Sequence, residues 1–130
     1  MIEFASDPRN ISRIDNLVQK IVHDCRISPN KYGDILVSVT EAVNNAIIHG
    51  NHRDISKKVK IDYRVIQKNK VAILVSDQGE GFDPRAVSDP TCPENIHRCG
   101  GRGVYLMRQL CDTVKYHNNG STIEMQFSVR

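Results

Sequence analysis

Glu41, Asn45 and His49 fall at i, i+4 and i+8. In a helix of 3.6 residues per turn they share one stripe within roughly 80° of arc. Ile35, Leu36, Val39, Ala42, Val43, Ala46 and Ile47 form the adjoining apolar stripe, so the three polar groups sit at the edge of a core. A carboxylate and an amide in such a place need partners. One candidate is a hard cation such as Mg²⁺. Asn presents a carbonyl oxygen, and Mg²⁺ prefers oxygen ligands, waters and substrate phosphates. The other is a polar edge satisfied by backbone and water, and the helix alone favours that reading.

A second group follows a strand. Val71, Ile73, Val75 and Asp77 share parity, so Asp77 points to the core-facing side. A carboxylate at the end of a buried strand is costly without donors. An adenine amino group is such a donor. Gly79 and Gly81 let the backbone take positive φ and approach a ligand closely. The competing reading of Asp77-Gln78-Gly79-Glu80-Gly81 is a plain turn.

A third group is Gly100-Gly101-Arg102-Gly103 at the start of a helix. Free N–H groups and the helix dipole make that end an anion site. Arg102 pairs with a phosphate or swings out to solvent, and a glycine-rich hinge is the alternative. Ser121 has the parity of Ile123 and Met125, which turns its hydroxyl inward. It reaches the adenine side near Asp77 or bonds a neighbouring backbone group.

The elements that must position these groups are legible in outline. Ile2-Glu3-Phe4 reads as a short strand. Ser6-Asp7-Pro8 is a helix start with a capping side chain and an early Pro. Ile11, Ile14, Val18, Ile21, Val22 and Cys25 then recur at helical spacing. Ser28-Pro29-Asn30 breaks that helix, and a second runs from Tyr32 or Asp34 to His49, ended by Gly50-Asn51. Residues 59–66 and 71–76 read as strands joined by Gln67-Lys68-Asn69-Lys70. Residues 84–100, with Pro84, Pro90 and Pro93, read as a long loop of the kind that serves as a lid. A third helix follows Gly103, with Val104, Met107, Leu110, Cys111 and Val114 on one side. Lys115 to His117 begins a strand, Asn118-Asn119-Gly120 is a hairpin turn, and Ser121 to Val129 alternates strictly. This order describes an α+β two-layer sandwich: a mixed or antiparallel sheet with helices on one face.

The chain has 130 residues, which suits a single domain over 1–130. Aromatics at 5% and no Trp weigh against stacking on single-stranded nucleic acid. The cluster Arg53, Lys57, Lys58 and Lys60, in a chain of net charge +3, reads as a solvated loop and not as a nucleic-acid face. The N-terminus lacks a basic segment followed by an apolar run, so no signal peptide, no membrane span and a cytoplasmic location are expected. Cys25, Cys92, Cys99 and Cys111 have no CxxC spacing and are expected as reduced thiols. Cys92, His97 and Cys99 lack an obvious fourth ligand for zinc.

Taken together and in this order, the motifs resemble a known superfamily. Glu41-Ala42-Val43-Asn44-Asn45-Ala46-Ile47-Ile48-His49-Gly50 is similar to the N-box of the ATPases that include gyrase, the heat-shock chaperone ATPase, histidine kinases and the mismatch-repair ATPase. Asp77-Gln78-Gly79-Glu80-Gly81 resembles their adenine-binding DxGxG box, and Gly101-Arg102-Gly103 their second glycine box. The short chain and the wording Asn-Ala-Ile-Ile-His-Gly are most similar to the anti-sigma factor serine/threonine kinases. The resemblance runs from about Ile2 to Val129.

It implies the Bergerat, or histidine kinase-like ATPase, fold. It implies ATP and Mg²⁺, with Asn45 on the metal, Asp77 on the adenine amino group, and Gly79, Gly81, Gly101 and Gly103 lining the phosphate and lid region. Glu41 is the implied general base, Arg102 a phosphate contact, and Ser121 stands where the superfamily often has Thr. His49 closes the N-box stripe. The implied reaction is phosphoryl transfer to a serine or threonine of a small anti-sigma factor antagonist, with a sigma factor as a further partner and a homodimer as the assembly. A non-catalytic ATP-binding switch and a simple ATPase would use the same pocket. No phospho-accepting His on a separate dimerisation helix is recognisable, which disfavours a histidine kinase.

Overall fold

A computed structural model describes residues 2–79 and 107–130. Strand β1 covers Ile2–Ala5, helix α1 Ile14–Asp24, helix α2 Tyr32–Asn45, strand β2 Lys58–Ile66, strand β3 Lys70–Ser76, strand β4 Thr113–His117 and strand β5 Thr122–Ser128. The strands form one five-stranded sheet in the order β1-β2-β3-β5-β4, and every neighbouring pair is antiparallel. This is the α+β class expected, with an antiparallel sheet.

The register explains the core. Phe4 opposes Val59, Ile61 opposes Val75, Ile73 opposes Met125, and Val75 opposes Ile123. Because side chains alternate across a strand, these residues share one face. That face is buried together with Ile14, Leu17, Val18 and Ile21 of α1 and Ile35, Val39, Ala42 and Val43 of α2. The apolar stripes of both helices thus close over one side of the sheet.

Three local departures have physical causes. Asp7 does cap a helix, accepting a hydrogen bond from the Arg9 backbone at 2.9 Å with Pro8 in the first turn. The turn it caps, Pro8–Arg13, is a 3₁₀ helix that buries no residue, and the α-helix begins only where Ile14 meets the core. Strand β5 was expected to alternate strictly, yet Thr122, Glu124 and Gln126 are buried as well. It lies between β3 and β4, and its polar side chains satisfy one another. Gln126 donates to Glu124 at 2.6 Å, and Thr122 donates to Ser76 at 3.0 Å. His117 lies 3.2 Å from Glu124, and the Gln126 bond and this ring hold the Glu124 carboxyl below its ordinary range.

The third departure concerns α2. Its axis continues past Asn45 as expected, but Ala46–Gly50 winds as a π-helix. His52 and Arg53 then take positive φ of 53° and 59°, a costly conformation for residues with a Cβ. Such π turns inside helices are frequently found at functional sites.

Ile35, in the first turn of α2, has no exposure and belongs to the helix–sheet core. Ile35→Ala should lower unfolding free energy by about 2–5 kcal/mol in urea titration. A loss below about 1 kcal/mol would mean that α2 does not anchor the core as described.

Candidate functional site

The expected site residues fall into three sets. Glu41 and Asn45 sit one turn apart on α2, both half-buried. Neither side chain takes a hydrogen bond or ion pair from a described residue. A carboxylate and an amide are thus presented at the core edge with open valences. His49 departs from their line, because the wider π turn rotates less per residue than an α-helix, and it is exposed. Desolvation of its enclosed atoms, then the neighbouring His52 and Arg53, push its pKa below the ordinary histidine value.

The end of β3 is the second set. Asp77 is half-buried, and its backbone N–H donates to the Ser121 carbonyl at 2.9 Å, extending the β3–β5 ladder by one bond. Its carboxylate accepts the Gly79 N–H at 2.8 Å, which closes the turn locally. Burial raises the Asp77 pKa, opposed by that N–H and by the charge of Lys57.

The two sets meet at Gly50, the last residue of the π turn that continues α2. A Cβ on Gly50 would collide with the Asp77 carboxylate, and a Cβ on Gly79 would collide with the Gly50 carbonyl. Gly79 was expected to provide backbone freedom for a ligand. What it demonstrably provides is close passage against the end of α2. The second collision is with backbone, which cannot swing aside.

Sequence reasoning missed Asn51, which is fully buried. The sequence shows it only as part of a helix stop and the start of a polar turn. Its side chain donates to Ser6 Oγ at 2.6 Å and to the Lys58 carbonyl at 3.1 Å, and accepts the Gln78 N–H at 2.8 Å. Nothing local in a Gly-Asn helix end announces this, because Ser6 and Gln78 are remote in sequence and Lys58 lies across the intervening turn.

Ser121 takes the second of its two expected roles. It ends the turn Asn118–Gly120 with helical φ and ψ of −78° and −12°, so the strand alternation starts one residue later, at Thr122. Its hydroxyl bonds the Asn118 carbonyl at 2.9 Å, and the inward parity assigned to it is corrected on that ground. Gly81, Gly101, Arg102 and Gly103, like the loop 84–100, Cys92, His97 and Cys99, lie outside the described residues. Of the basic cluster, Lys58 and Lys60 lie on β2 and reach Glu3 at 3.3 and 3.7 Å. Cys25 and Cys111 are thiols, the latter pushed up to about 11 by burial.

This constellation, a helix edge carrying a carboxylate and an amide and packed by its end onto an Asp-x-Gly turn, coincides with a family match. The profile of the histidine kinase-like ATPase domain covers residues 4–127. The chain belongs to that family. Among its relatives is the serine-protein kinase RsbW of Oceanobacillus iheyensis, 31% identical over 91 residues, which are 65% of this chain and 57% of that protein. The serine-protein kinase RsbW of Staphylococcus aureus strain JH9 is 34% identical over 99 residues, 71% of this chain and 62% of that protein. The same figures hold for strain Newman. The matched part of this ATPase domain therefore spans about three fifths of the length of the curated relatives. Among the described residues no helix is long and apolar enough to cross a membrane, and no cluster of His, Cys, Asp or Glu could hold a metal ion by itself.

The raised pKa of Asp77 has a signed consequence for the ATPase domain without ligand. A carboxyl whose folded pKa lies above its unfolded value stabilises the fold below the unfolded value and loses that contribution as pH rises through the folded one. At neutral pH the buried charge therefore works against folding. Asp77→Asn keeps an acceptor for the Gly79 N–H and removes the charge. Its midpoint in denaturant should exceed the wild-type value at pH 7, and the gap should close as pH falls to about 4. A variant less stable than wild type at pH 7 would contradict the burial argument.

Proposed function

We propose that this ATPase domain is a serine/threonine protein kinase that transfers the γ-phosphoryl group of ATP to a small anti-sigma factor antagonist protein. The observation that carries the reading is the contact of Gly50 with Asp77 and Gly79. It brings the end of the helix bearing Glu41 and Asn45 onto the turn bearing Asp77. The names of the relatives, serine-protein kinases, support the reaction class.

In this reading Asp77 accepts a hydrogen bond from the adenine amino group. Its half-buried carboxylate, relieved by one N–H, has capacity for that donor. Asn45 offers a carbonyl oxygen to Mg²⁺, and its lack of a described partner fits that use. When bound, Mg²⁺ supplies charge compensation for the phosphates. Gly79, Gly81, Gly101, Arg102 and Gly103 border the phosphates, with His49 at the rim of the N-box and Ser121 beside Asp77. Glu41 takes the proton of the incoming serine or threonine hydroxyl. The oxygen of that hydroxyl forms the new bond to phosphorus, the bond to the bridging β,γ-oxygen breaks, and ADP leaves with the electron pair. Catalysis is mainly positioning and charge stabilisation.

The new phosphate adds about 1.5–2 negative charges at the interface with the antagonist, which favours release. A sigma factor as alternate partner, a homodimer as the assembly, a cytoplasmic location and a single domain over 1–130 belong to the same reading.

Removing the base separates binding from chemistry. Glu41→Ala should bind ATP within about twofold of wild type and lower phosphotransfer to the antagonist by about 10²–10⁴-fold, measured with radiolabelled ATP. Wild-type transfer rates in Glu41→Ala would remove the base assignment. ATP consumption by wild type without any phosphorylated protein would favour a simple ATPase, and binding without turnover a non-catalytic switch.

A further inference from the structure

The N-box helix and the adenine turn touch, but contact alone does not set the direction in which Asp77 aims its carboxylate. Asn51 supplies that constraint. The π turn closes with the Asn51 N–H on the Ala46 carbonyl at 2.8 Å, and this delivers the Asn51 side chain into the interior. There it uses both amide hydrogens and its oxygen on three separate segments: Ser6 after β1, Lys58 at the start of β2, and Gln78 beside Asp77. Gln78 returns to the same place, its side-chain oxygen accepting the Lys58 N–H at 2.6 Å. The Lys58 peptide is therefore gripped from both sides, by Asn51 at its carbonyl and by Gln78 at its N–H. Asp77 is flanked by fixed points, its own N–H on the Ser121 carbonyl and the next N–H on Asn51.

We infer that Asn51 is a positioning residue for base recognition. By holding the Gln78 peptide it aims the Asp77 carboxylate at the exocyclic amino group of adenine and so sets the preference for adenine over purines lacking that group. The inference rests on the proposed ATP site. Only an amide of this length satisfies the arrangement: Asp keeps the acceptor and loses both donors, and Leu loses all three bonds. Ser6→Ala is the milder perturbation: it removes one acceptor for Asn51 and the Ser6 hydroxyl's bond to the Lys57 carbonyl, and leaves Asn51 bound to Lys58 and Gln78.

The test compares Mg-ATP with the Mg²⁺ complex of purine riboside triphosphate, which differs only by lacking the 6-amino group. Dissociation constants are measured by calorimetry on wild type, Ser6→Ala, Asn51→Asp and Asn51→Leu, with a thermal melt of each. A purely structural loss lowers the folded fraction and weakens both ligands equally, so the ratio of the two constants isolates aiming from folding. Wild type should prefer ATP by about tenfold or more. The ratio should fall in Ser6→Ala and further in Asn51→Asp, and approach one in Asn51→Leu, mainly through weaker ATP binding. Should Asn51→Leu fail to fold, the other two variants carry the comparison. A wild-type ratio retained in every folded variant overturns the inference and leaves the ATP site standing. Wild type that binds neither ligand, or both equally, overturns the reading of Asp77 and the inference with it.

Discussion

The passage of the Gly79 backbone against the Gly50 carbonyl, with the Asp77 carboxylate filling the space where a Gly50 side chain would be, is the constraint on which the site depends. Two segments far apart in sequence, the π turn after α2 and the turn after β3, are joined there without room for one carbon atom. Any side chain at residue 79 would force one of them to move, and the element that moved would carry either Glu41 and Asn45 or Asp77 with it. Glycine at these positions is thus a packing requirement before it is a ligand requirement.

That contact is affordable because the rest of the fold prepares it. Antiparallel pairing from β1 through β4 places Val59, Ile61, Ile73, Val75 and Met125 on one face, and the apolar stripes of α1 and α2 close on that face. Burial of the stripe fixes the rotation of α2 about its axis. Glu41 and Asn45 are thereby left at the boundary, half-covered and without a described partner, while Val39, Ala42 and Val43 are covered. The π turn then spends backbone regularity, continued in the positive φ of His52 and Arg53, to bring Asn51 inward. A buried amide missing a partner would cost about 1–3 kcal/mol, and Asn51 is missing none.

Much of this was legible before any coordinates, and the reasons differ by element. The stripes of α1 and α2, the hairpin of β2 and β3 and the parity of Asp77 are periodic signals set by local geometry. The two strands appear within a residue of their expected ends, whereas α1 starts only at Ile14, after a 3₁₀ turn, and α2 gives way to the π turn after Asn45. The N-box and DxGxG wording led to the family that the profile match then showed. Four features were not legible. Asn51 depends on partners at Ser6, Lys58 and Gln78 that no local pattern connects to it. The π turn preserves helical composition while changing the register, so His49 leaves the line that i, i+4, i+8 spacing drew. Ser121 fell on the wrong side of a boundary. Its type fits a strand, but the preceding turn holds it in helical φ and ψ. The buried polar face of β5 also escaped pattern reading, since Glu124 and Gln126 look like solvent positions until their mutual bond is seen.

The proposed joint role of the helix edge and the Asp77 turn is to hold Mg-ATP. The measurement that meets it most directly is a calorimetric titration of the wild-type chain with ATP, with and without Mg²⁺. Saturable one-site binding that strengthens when Mg²⁺ is added is expected. No heat of binding at millimolar ATP, under conditions where the chain is folded by circular dichroism, would contradict it.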